Sequence, residues 1–342
     1  MKKNTILLTI KTISLQSYVH SHFIIMLSRR QVRIKVLQVL YAYQQSGNND
    51  PRKGEKELLH SIEKFFDLFY YQISLFPEII DVALSQIEEA KNKRIPTKED
   101  LNPYMKFVNN ILVEKLQENS HLKRIIERRK INWTNNQEIP KRIYRKFKAS
   151  AAFNSCLDHS ANTFEQDKGI ILKLLKKFIY THRPLFEYYE ESSIHWVNDF
   201  DQVTFVLIKI LQSLTEDMVT SYKFIDSSDI ELEEEISFAK SLLGKTILKY
   251  DEYNELIASY TKNWEIERVA MMDNIIMKMA ICELFEFPSV PVKVTLNEYI
   301  EIAKIFSTPK SSLFINGVLD KIVEDLKKTD KIKKIGRGLI DK

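Results

Sequence analysis

Scarcity of turn-forming residues is the strongest constraint that this sequence places on its fold. The 342-residue chain contains 7 Gly and 9 Pro, whereas average usage of ~7% and ~5% would give roughly 24 and 17. Sandwiches, barrels and other β folds with many turns depend on these residues, so we expect none of them. Because 44% of the residues are hydrophobic, the chain can bury a core. We therefore predict an all-α soluble protein.

Residues 1–25 form a leader with a basic start and an apolar stretch that Lys11 interrupts. No cleavage site of the kind that follows a secretory signal is present, so we expect that translation begins at Met26 or that the leader is disordered. No run reaches the ~18 apolar residues of a membrane span. Cys156 and Cys282 lie far apart, which is typical of a reducing compartment. We expect a cytoplasmic protein that does not bind membranes.

Apolar residues recur at helical spacing along most of the chain. The pattern predicts helices over about 28–45, 56–91, 103–130, 141–158, 165–181 and 198–224, followed by a more regular last third. There, Thr295–Glu298 has the form of a capping box, which predicts a helix start. A final helix is predicted from the spacing of Phe314, Val318, Ile322 and Leu326.

The motifs of the common enzyme classes are missing. The seven histidines are scattered without H-E-x-x-H, and neither a P-loop nor a dinucleotide-binding glycine motif occurs. The nucleophile motif G-x-S-x-G is also absent. We therefore expect no enzyme activity, no cofactor and no metal site.

Three arginines crowd the start of the first predicted helix: Arg29, Arg30 and Arg33. Exposed cations at a helix N-terminus cost roughly 0.3–1 kcal/mol each. A phosphate ligand would reverse the sign of this effect, because helix N-termini and arginines both bind phosphate. The alternative is a solvated basic helix end without a ligand.

A second basic stretch spans 121–148, where ten bases stand against two acids. Three aromatic residues are interleaved with them: Trp133, Tyr144 and Phe147. Bases and aromatics together suit single-stranded nucleic acid, through phosphate contact and base stacking. The alternative places the aromatics in the core and the bases in water. In both cases we predict a basic outer face, with Arg128 and Arg129 as its probes.

Two separated segments carry specific motifs. The segment 29–41 reads RRQVRIKVLQVLY, an Arg-rich start that continues into Q-x-L-Y. In the last third, W-x-x-x-R-x-x-x-x-D begins at Trp264, A-x-x-E-L begins at Ala280, and P-x-K-V-x-x-N-E-x-I-E-x-A-K begins at Pro291. The motif S-x-x-F-I-N-G-V-L-D-K then begins at Ser311. Together they resemble the NusB transcription antitermination family, whose last motif has Val where this chain has Ile.

The resemblance covers about 27–46 and 229–328. We predict a leader (1–25), the first helix of a NusB-like domain (26–51), an inserted helical region (52–228), the NusB-like core (229–328) and a basic tail (329–342). Inside the insert, Phe107–Leu112 echoes Phe314–Leu319, which leaves a degenerate duplicated half open.

The family resemblance implies a function. It implies a helical bundle that binds the boxA element of nascent ribosomal RNA transcripts, pairs with NusE, a small-subunit ribosomal protein, and joins the RNA polymerase elongation complex. The RNA contacts it implies are Arg29, Arg30, Arg33, Gln38, Tyr41, Phe314, Asn316, Asp320 and Lys321. The residues expected to hold the bundle together are Trp264, Arg268, Asp273, Glu283, Asn297 and Glu298. We expect Gly317 to serve close helix packing rather than RNA approach.

Other functions are also compatible with a NusB-like fold. The chain could be a non-enzymatic protein-interaction scaffold or a ribosome-biogenesis factor with a NusB-like fold; the presence of the three arginines argues against loss of RNA binding. The same fold also forms the N-terminal domain of ribosomal RNA cytosine methyltransferases. Because the resemblance ends about fourteen residues before the chain does, we expect no such catalytic domain.

Overall fold

A computed structural model describes residues 27–47, 50–158, 160–261 and 269–339. Over these ranges the regular elements are all helices, which confirms the predicted all-α class. The leader (1–25), Trp264 and Arg268 lie outside the described residues, so the expectations about them stay predictions. None of the described helices has the length and apolar character that crossing a bilayer requires.

The described ranges contain fifteen α-helices. They are α1 (Arg29–Gln45), α2 (Pro51–Lys91), α3 (Lys98–Leu101), α4 (Ile111–Glu118), α5 (Ser120–Arg128), α6 (Glu138–Lys148), α7 (Phe164–Leu174), α8 (Arg183–Ser192), α9 (Phe200–Ser213), α10 (Glu216–Val219), α11 (Glu233–Leu248), α12 (Tyr250–Tyr260), α13 (Met271–Glu286), α14 (Val292–Phe306) and α15 (Pro309–Lys328). A π-helical turn, Leu175–Ile179, directly follows α7.

The described chain divides into two compact units. One contains Glu63–Asp229, and the other contains Leu27–Ile62 together with the residues from Ile230 onward. The boundary therefore falls inside α2. This division follows from packing and does not show which residues correspond to the NusB family. The predicted limits of the NusB-like part therefore stay a prediction.

In the unit that contains α1, helix α13 forms the centre. Its residues from Ile275 to Leu284 are all buried, as expected for a helix that is covered on every side. Helix α1 packs against α11, α13 and α14, and α15 packs against α12, α13 and α14. The last helix faces this core with Ile315, Leu319 and Ile322, so its predicted apolar stripe is close to the observed one.

The predicted helix start at Thr295 is wrong. Helix α14 begins three residues earlier, at Val292, and Pro291 is its N-cap. Thr295 is buried inside the helix, and its hydroxyl donates to Glu283 Oε1 at 2.9 Å. The side chain has the chemistry of a cap, but a buried carboxylate on α13 takes its hydrogen bond instead.

In the other unit, the helix predicted over 103–130 begins only at Ile111 and is interrupted at Asn119. Asn110 caps α4 by accepting from the Val113 amide, and Asn119 caps α5 by accepting from the Leu122 amide. Asn side chains compete with the helical backbone in this way. Because Phe107 precedes α4 whereas Phe314 lies within α15, the sequence echo does not correspond to the same local structure.

The stretch 121–148 has a buried aromatic side, as its alternative interpretation predicts. Trp133 and Phe147 are fully buried, Tyr144 is nearly so, and Trp133 Nε1 donates to Ser74 Oγ at 3.0 Å. Base stacking on these rings is thereby excluded in the folded state.

Arg128 and Arg129 are poor probes of the basic outer face that is predicted over 121–148. Both guanidinium groups donate to the buried carboxylate of Asp226, and Arg129 also donates to Asp67 Oδ1 at 2.5 Å. Only 10% of the Arg129 side chain is exposed. Arg129 therefore helps to hold the unit together, and Arg128, with 58% of its side chain exposed, is bound to the same buried carboxylate.

Candidate nucleic-acid interface

The start of α1 is formed by a capping box. The Ser28 side chain accepts from the Gln31 amide, and the Gln31 side chain accepts from the Ser28 amide at 3.0 Å. This cap satisfies the first free amides of the helix locally. The three predicted arginines follow directly, so their side chains leave from the first turns of a fixed helix end.

Carboxylates from other helices meet the two outer arginines. Arg29 donates to Glu234 on α11, lies 3.7 Å from Glu235, and stacks over the Phe238 ring with its Cζ 4.4 Å from the centroid. Arg30 donates from Nε and Nη2 to the two oxygens of Glu298 at 2.9 and 2.8 Å. The Glu298 hydrogen bond raises the pKa of Arg30, although burial opposes it. The cations at this helix end are therefore compensated within the protein.

Arg33 has a different environment. Its Nε and Nη2 donate to the Glu283 oxygens at 2.8 and 2.7 Å, and only 3% of its side chain is exposed. Burial lowers the pKa of Arg33, but the hydrogen bond and charge of Glu283 outweigh burial and raise it above the ordinary value. This position does not allow Arg33 to reach a phosphate, so the structure corrects its predicted role from RNA contact to support.

Glu283 is the centre of a buried polar cluster. Besides Arg33, it accepts from Thr295 Oγ1 at 2.9 Å and from the Tyr299 hydroxyl at 3.1 Å. Burial, followed by the Glu283 charge, raises the pKa of Tyr299 well above its ordinary value. The cluster ties α1, α13 and α14 together with paired hydrogen bonds, as a buried charge requires.

The other predicted contacts of α1 lie near its C-terminal half. Gln38 and Tyr41 are half-buried. The Tyr41 hydroxyl accepts from Gln45 Nε2 at 3.3 Å. Both Gln38 and Tyr41 therefore have accessible surface for a ligand.

On α15, the motif that begins at Ser311 has a buried apolar side and an exposed polar side. Its apolar members Ile315, Val318 and Leu319 are buried, whereas its polar members Asn316, Asp320 and Lys321 are exposed. Phe314 is half-buried. Asn316 Nδ2 donates to Asp320 Oδ2 at 2.8 Å. Packing explains the apolar half of the motif and leaves the polar half without a structural role in the described residues.

Gly317 lies in the same exposed part of α15. A Cβ built at this residue meets nothing within 4 Å. The expectation that Gly317 serves helix packing is therefore wrong for the described residues. Its open surroundings leave space for a molecule outside the chain.

The structural roles expected in the bundle are observed for some of the residues and not for others. Asp273 is buried and accepts from Ser307 Oγ, and Glu283 and Glu298 bind the arginines of α1, in agreement with a structural role. Asn297 is exposed and makes no hydrogen bond within the described part of the chain. The structural role expected for Asn297 is therefore not observed.

The buried position of Arg33 was missed in the sequence, but a signal for it exists. Arg33 lies in register with the apolar residues Val36, Leu37 and Leu40, at the helical spacings of three, four and seven. Glu283 is likewise a single acid inside an apolar helix that reads IIMKMAICELF. Opposite charges on two otherwise apolar faces predict a buried pair.

Comparison with known proteins finds a family match in the C-terminal part of the chain. The family model described as "NusB family" matches residues 201–324, a range that begins in α9 and ends in α15. No solved structure matches.

Three relatives carry the name transcription antitermination protein NusB. The protein of Salinibacter ruber is 46% identical over 103 residues, which are 30% of this chain and 64% of the relative. That of Chloroherpeton thalassium is 40% identical over 104 residues, 30% of this chain and 49% of the relative. That of Dictyoglomus turgidum is 34% identical over 133 residues, 39% of this chain and 90% of the relative. The chain thus spans less than two thirds of the first two and nearly all of the third.

Proposed function

The chain belongs to the NusB family, and from this membership we propose that it is a cytoplasmic transcription antitermination factor. In this proposal it binds boxA-type RNA of nascent ribosomal RNA transcripts, together with NusE and the RNA polymerase elongation complex. It acts by binding alone and catalyses no reaction. Relatives that carry the antitermination name support the class of function.

The observation that carries the proposal is the division of the last motif on α15. Asn316, Asp320 and Lys321 match the family motif at exposed positions, where side chains do not affect packing. Polar residues that a motif retains on the surface point to a ligand. Gly317 adds to this, because a glycine in a helix interior costs about 1 kcal/mol relative to alanine.

The α1 residues add a second group of candidate RNA contacts. Helices α1 and α15 both pack against α13 and α14, so two central helices fix the positions of both groups. Arg29 and Arg30 are bound to carboxylates, but their side chains are 34% and 41% exposed. Exposed ion pairs are worth only ~0–1 kcal/mol. An RNA phosphate can therefore replace these carboxylates at low cost, which is not possible for the buried Arg33.

The test compares two glycines. Gly317→Gln fills the space that the proposal assigns to RNA, and Gly244→Gln is the matched control, since Gly244 is also an exposed glycine inside a helix with nothing within 4 Å of its Cβ. Both substitutions should raise the melting temperature similarly, because Gln is the better helix former by about 0.5–1 kcal/mol. Only Gly317→Gln should weaken boxA binding, by at least about fivefold, since overfilling a tight contact costs ~1–3 kcal/mol.

Binding is measured by fluorescence anisotropy with boxA RNA and a scrambled RNA, with and without NusE. The proposal expects the wild type to prefer boxA, and NusE to increase that preference. Equal affinity for the two RNAs in the presence of NusE would contradict it. Equal losses from the two glycine variants would remove α15 from the RNA surface.

A further inference from the structure

A second positively charged surface lies in the unit that contains Glu63–Asp229. Four of its residues are exposed on α6: Lys141, Arg142, Arg145 and Lys146. The other two, Lys176 and Lys177, are exposed on the π-helical turn Leu175–Ile179. The two elements pack against each other, and the Phe147 and Phe178 rings meet at 5.2 Å between centroids. We call these six residues the basic face.

The basic face is almost unneutralised. Lys141 lies 3.5 Å from Glu138 on its own helix. The side chains of the other five residues form no ion pair or hydrogen bond within the described ranges. Arg129 in the same unit shows the contrast, because Asp67 and Asp226 both bind its guanidinium. An arginine that stabilises this unit is thus bound by carboxylates of the same unit, which the basic face lacks.

The fold does not account for this concentration of charge. Cations in the last turn of a helix are favourable by ~0.3–1 kcal/mol, which covers Arg145 and Lys146. Arg142 lies in the first half of α6 and gains nothing from that effect. Like charges four residues apart, such as Arg142 and Lys146, destabilise a helix by ~0.2–0.5 kcal/mol per pair. The helix therefore gains nothing from Arg142 itself, and the repulsion within this pair offsets part of the gain from Lys146.

The neighbouring side chains define the chemistry of the anion. Tyr144 and Phe147 face the core and cannot stack on bases. Tyr180, which follows the π-helical turn, is exposed, but one side of its ring is stacked on Phe200 at 5.6 Å. Charge is therefore offered without stacking surface, which suits phosphates and not bases. A membrane-binding helix presents exposed apolar residues beside its bases, whereas the apolar side of α6 is buried.

We propose that the basic face binds the phosphate backbone of RNA without reading its sequence. Lys141 and Lys146 are five residues apart on α6, so four cations occupy about 8 Å of helix. This concentration of cations suits a polyanion, which carries a charge at every nucleotide, rather than a single small anion. The inference goes beyond the proposed function, because this surface lies outside residues 201–324 that match the family and requires no boxA sequence.

The pKa of His182 is sensitive to the charge of the basic face and can report on anion binding there. It is 2% exposed, and neither ring nitrogen has a hydrogen-bond partner in the described structure. Burial, followed by the charges of Lys146 and Arg142, lowers the pKa of His182 to about 4. Phosphates bound at these two side chains would offset their charges, so RNA should raise this pKa.

The experiment neutralises Arg142, Arg145 and Lys146 together by substitution with Gln. The control neutralises three exposed lysines elsewhere, Lys56→Gln, Lys98→Gln and Lys209→Gln, and so removes the same net charge. Affinity for scrambled RNA is measured over a range of salt concentrations. Each lost phosphate contact should reduce the slope of log affinity against log salt by about 0.7. The basic-face variant should lose about 2 from this slope and at least about tenfold in affinity at ~0.1 M salt, with the control close to wild type.

A second readout needs no variant. The pH titration of the His182 ring resonances in the full chain should give a higher pKa with scrambled RNA than without it. The proposal is overturned if basic-face and control variants bind RNA equally, or if RNA leaves the His182 titration unchanged. It is also overturned if the basic-face variant loses binding only to vesicles of anionic lipid or to an acidic protein.

The two proposals fail separately. Sequence-independent affinity reports on the basic face, whereas the difference between boxA and scrambled RNA reports on antitermination-type recognition. A chain that loses scrambled-RNA affinity in the basic-face variant but never prefers boxA supports the basic face and contradicts the proposed function. The opposite result contradicts the basic face alone.

Discussion

The guanidinium of Arg33 and the carboxylate of Glu283 form a bidentate pair in which 3% and 0% of the two side chains are exposed. The pair joins the first described helix to the central helix α13. Thr295 and Tyr299 complete the hydrogen bonds of the carboxylate. This relationship separates Arg33 from the two arginines beside it, which ion pairs hold at the surface.

Arg33→Gln is expected to destabilise the protein strongly. Removing one member of a buried pair leaves the other charged and without its cation, at a cost of about 3–5 kcal/mol. Arg30→Gln is the control, because its pair with Glu298 is partly exposed and worth ~0–1 kcal/mol. Urea unfolding followed by circular dichroism gives both free energies, and similar losses for the two variants would contradict the structural role of Arg33. Charge reversal of all three arginines is therefore a test of folding and not of RNA binding.

Arg29→Gln combined with Arg30→Gln is expected to weaken boxA binding while the fold persists. Each lost phosphate contact should lower the salt slope by about 0.7. The control is Arg52→Gln, at a side chain that is 92% exposed. Anisotropy titrations over a range of salt concentrations measure the slope. A double variant whose slope matches that of Arg52→Gln would place the RNA elsewhere.

Asp320→Asn is expected to raise boxA affinity a few-fold without lowering the melting temperature. An acid beside a phosphate is repelled by about 1 kcal/mol in a water-like dielectric. Asp320 accepts from Asn316 and forms no ion pair within the described residues. The substituted asparagine therefore has nearly the same shape, and no salt bridge is lost. A lower melting temperature without a gain in affinity would show that Asp320 is a structural residue.

Lys278 predicts a pH dependence of stability. It is buried on α13, and its Nζ lies 3.1 Å from the centre of the Tyr250 ring without a hydrogen-bond partner in the described ranges. Burial lowers the pKa of Lys278 to about 7 from the ordinary 10.5, against the opposing charge of Asp251. Between these two values the unfolded chain binds more protons than the native state, so the lysine's contribution to stability rises with pH in this window.

Lys278→Met isolates this contribution. The methionine variant should be more stable than the wild type near pH 6, where the wild type must bury a charged amine. Its advantage should shrink as the pH rises through 7 towards 10, because the native lysine has then lost its proton. Unfolding free energies at several pH values measure the difference, and parallel profiles for the two proteins would contradict the lowered pKa.

The sequence predicts the helical class because that class depends on a property of the whole chain, the rarity of Gly and Pro. It predicts α15 well, since one side of an amphipathic helix is visible in the spacing of Phe314, Val318, Ile322 and Leu326. It misplaces the start of α14, because the choice of Thr295 between cap and core depends on Glu283. Local sequence carries no information about that partner.

The candidate site shows the same division. The exposed residues of α15 could be predicted from the family motif and helical periodicity together. The different roles of Arg30 and Arg33 depend on carboxylates 268 and 250 residues further along the chain. Charge alone makes the two arginines equivalent, and only the fold distinguishes them.

The separation of Arg33 from Glu283 along the chain also determines when this pair can form during synthesis. The chain grows at about 5–20 residues per second, so 250 residues correspond to a delay of roughly 12–50 s. Helices α11, α13 and α14, which pack on α1, are all synthesised after residue 230. Helix α1 therefore leaves the ribosome before any of these helices and reaches its final position only after they have been made. A nascent chain arrested before α13 is expected to expose Val32, Val36 and Leu40, which makes the early helix a target for chaperones and proteases until the final third has emerged.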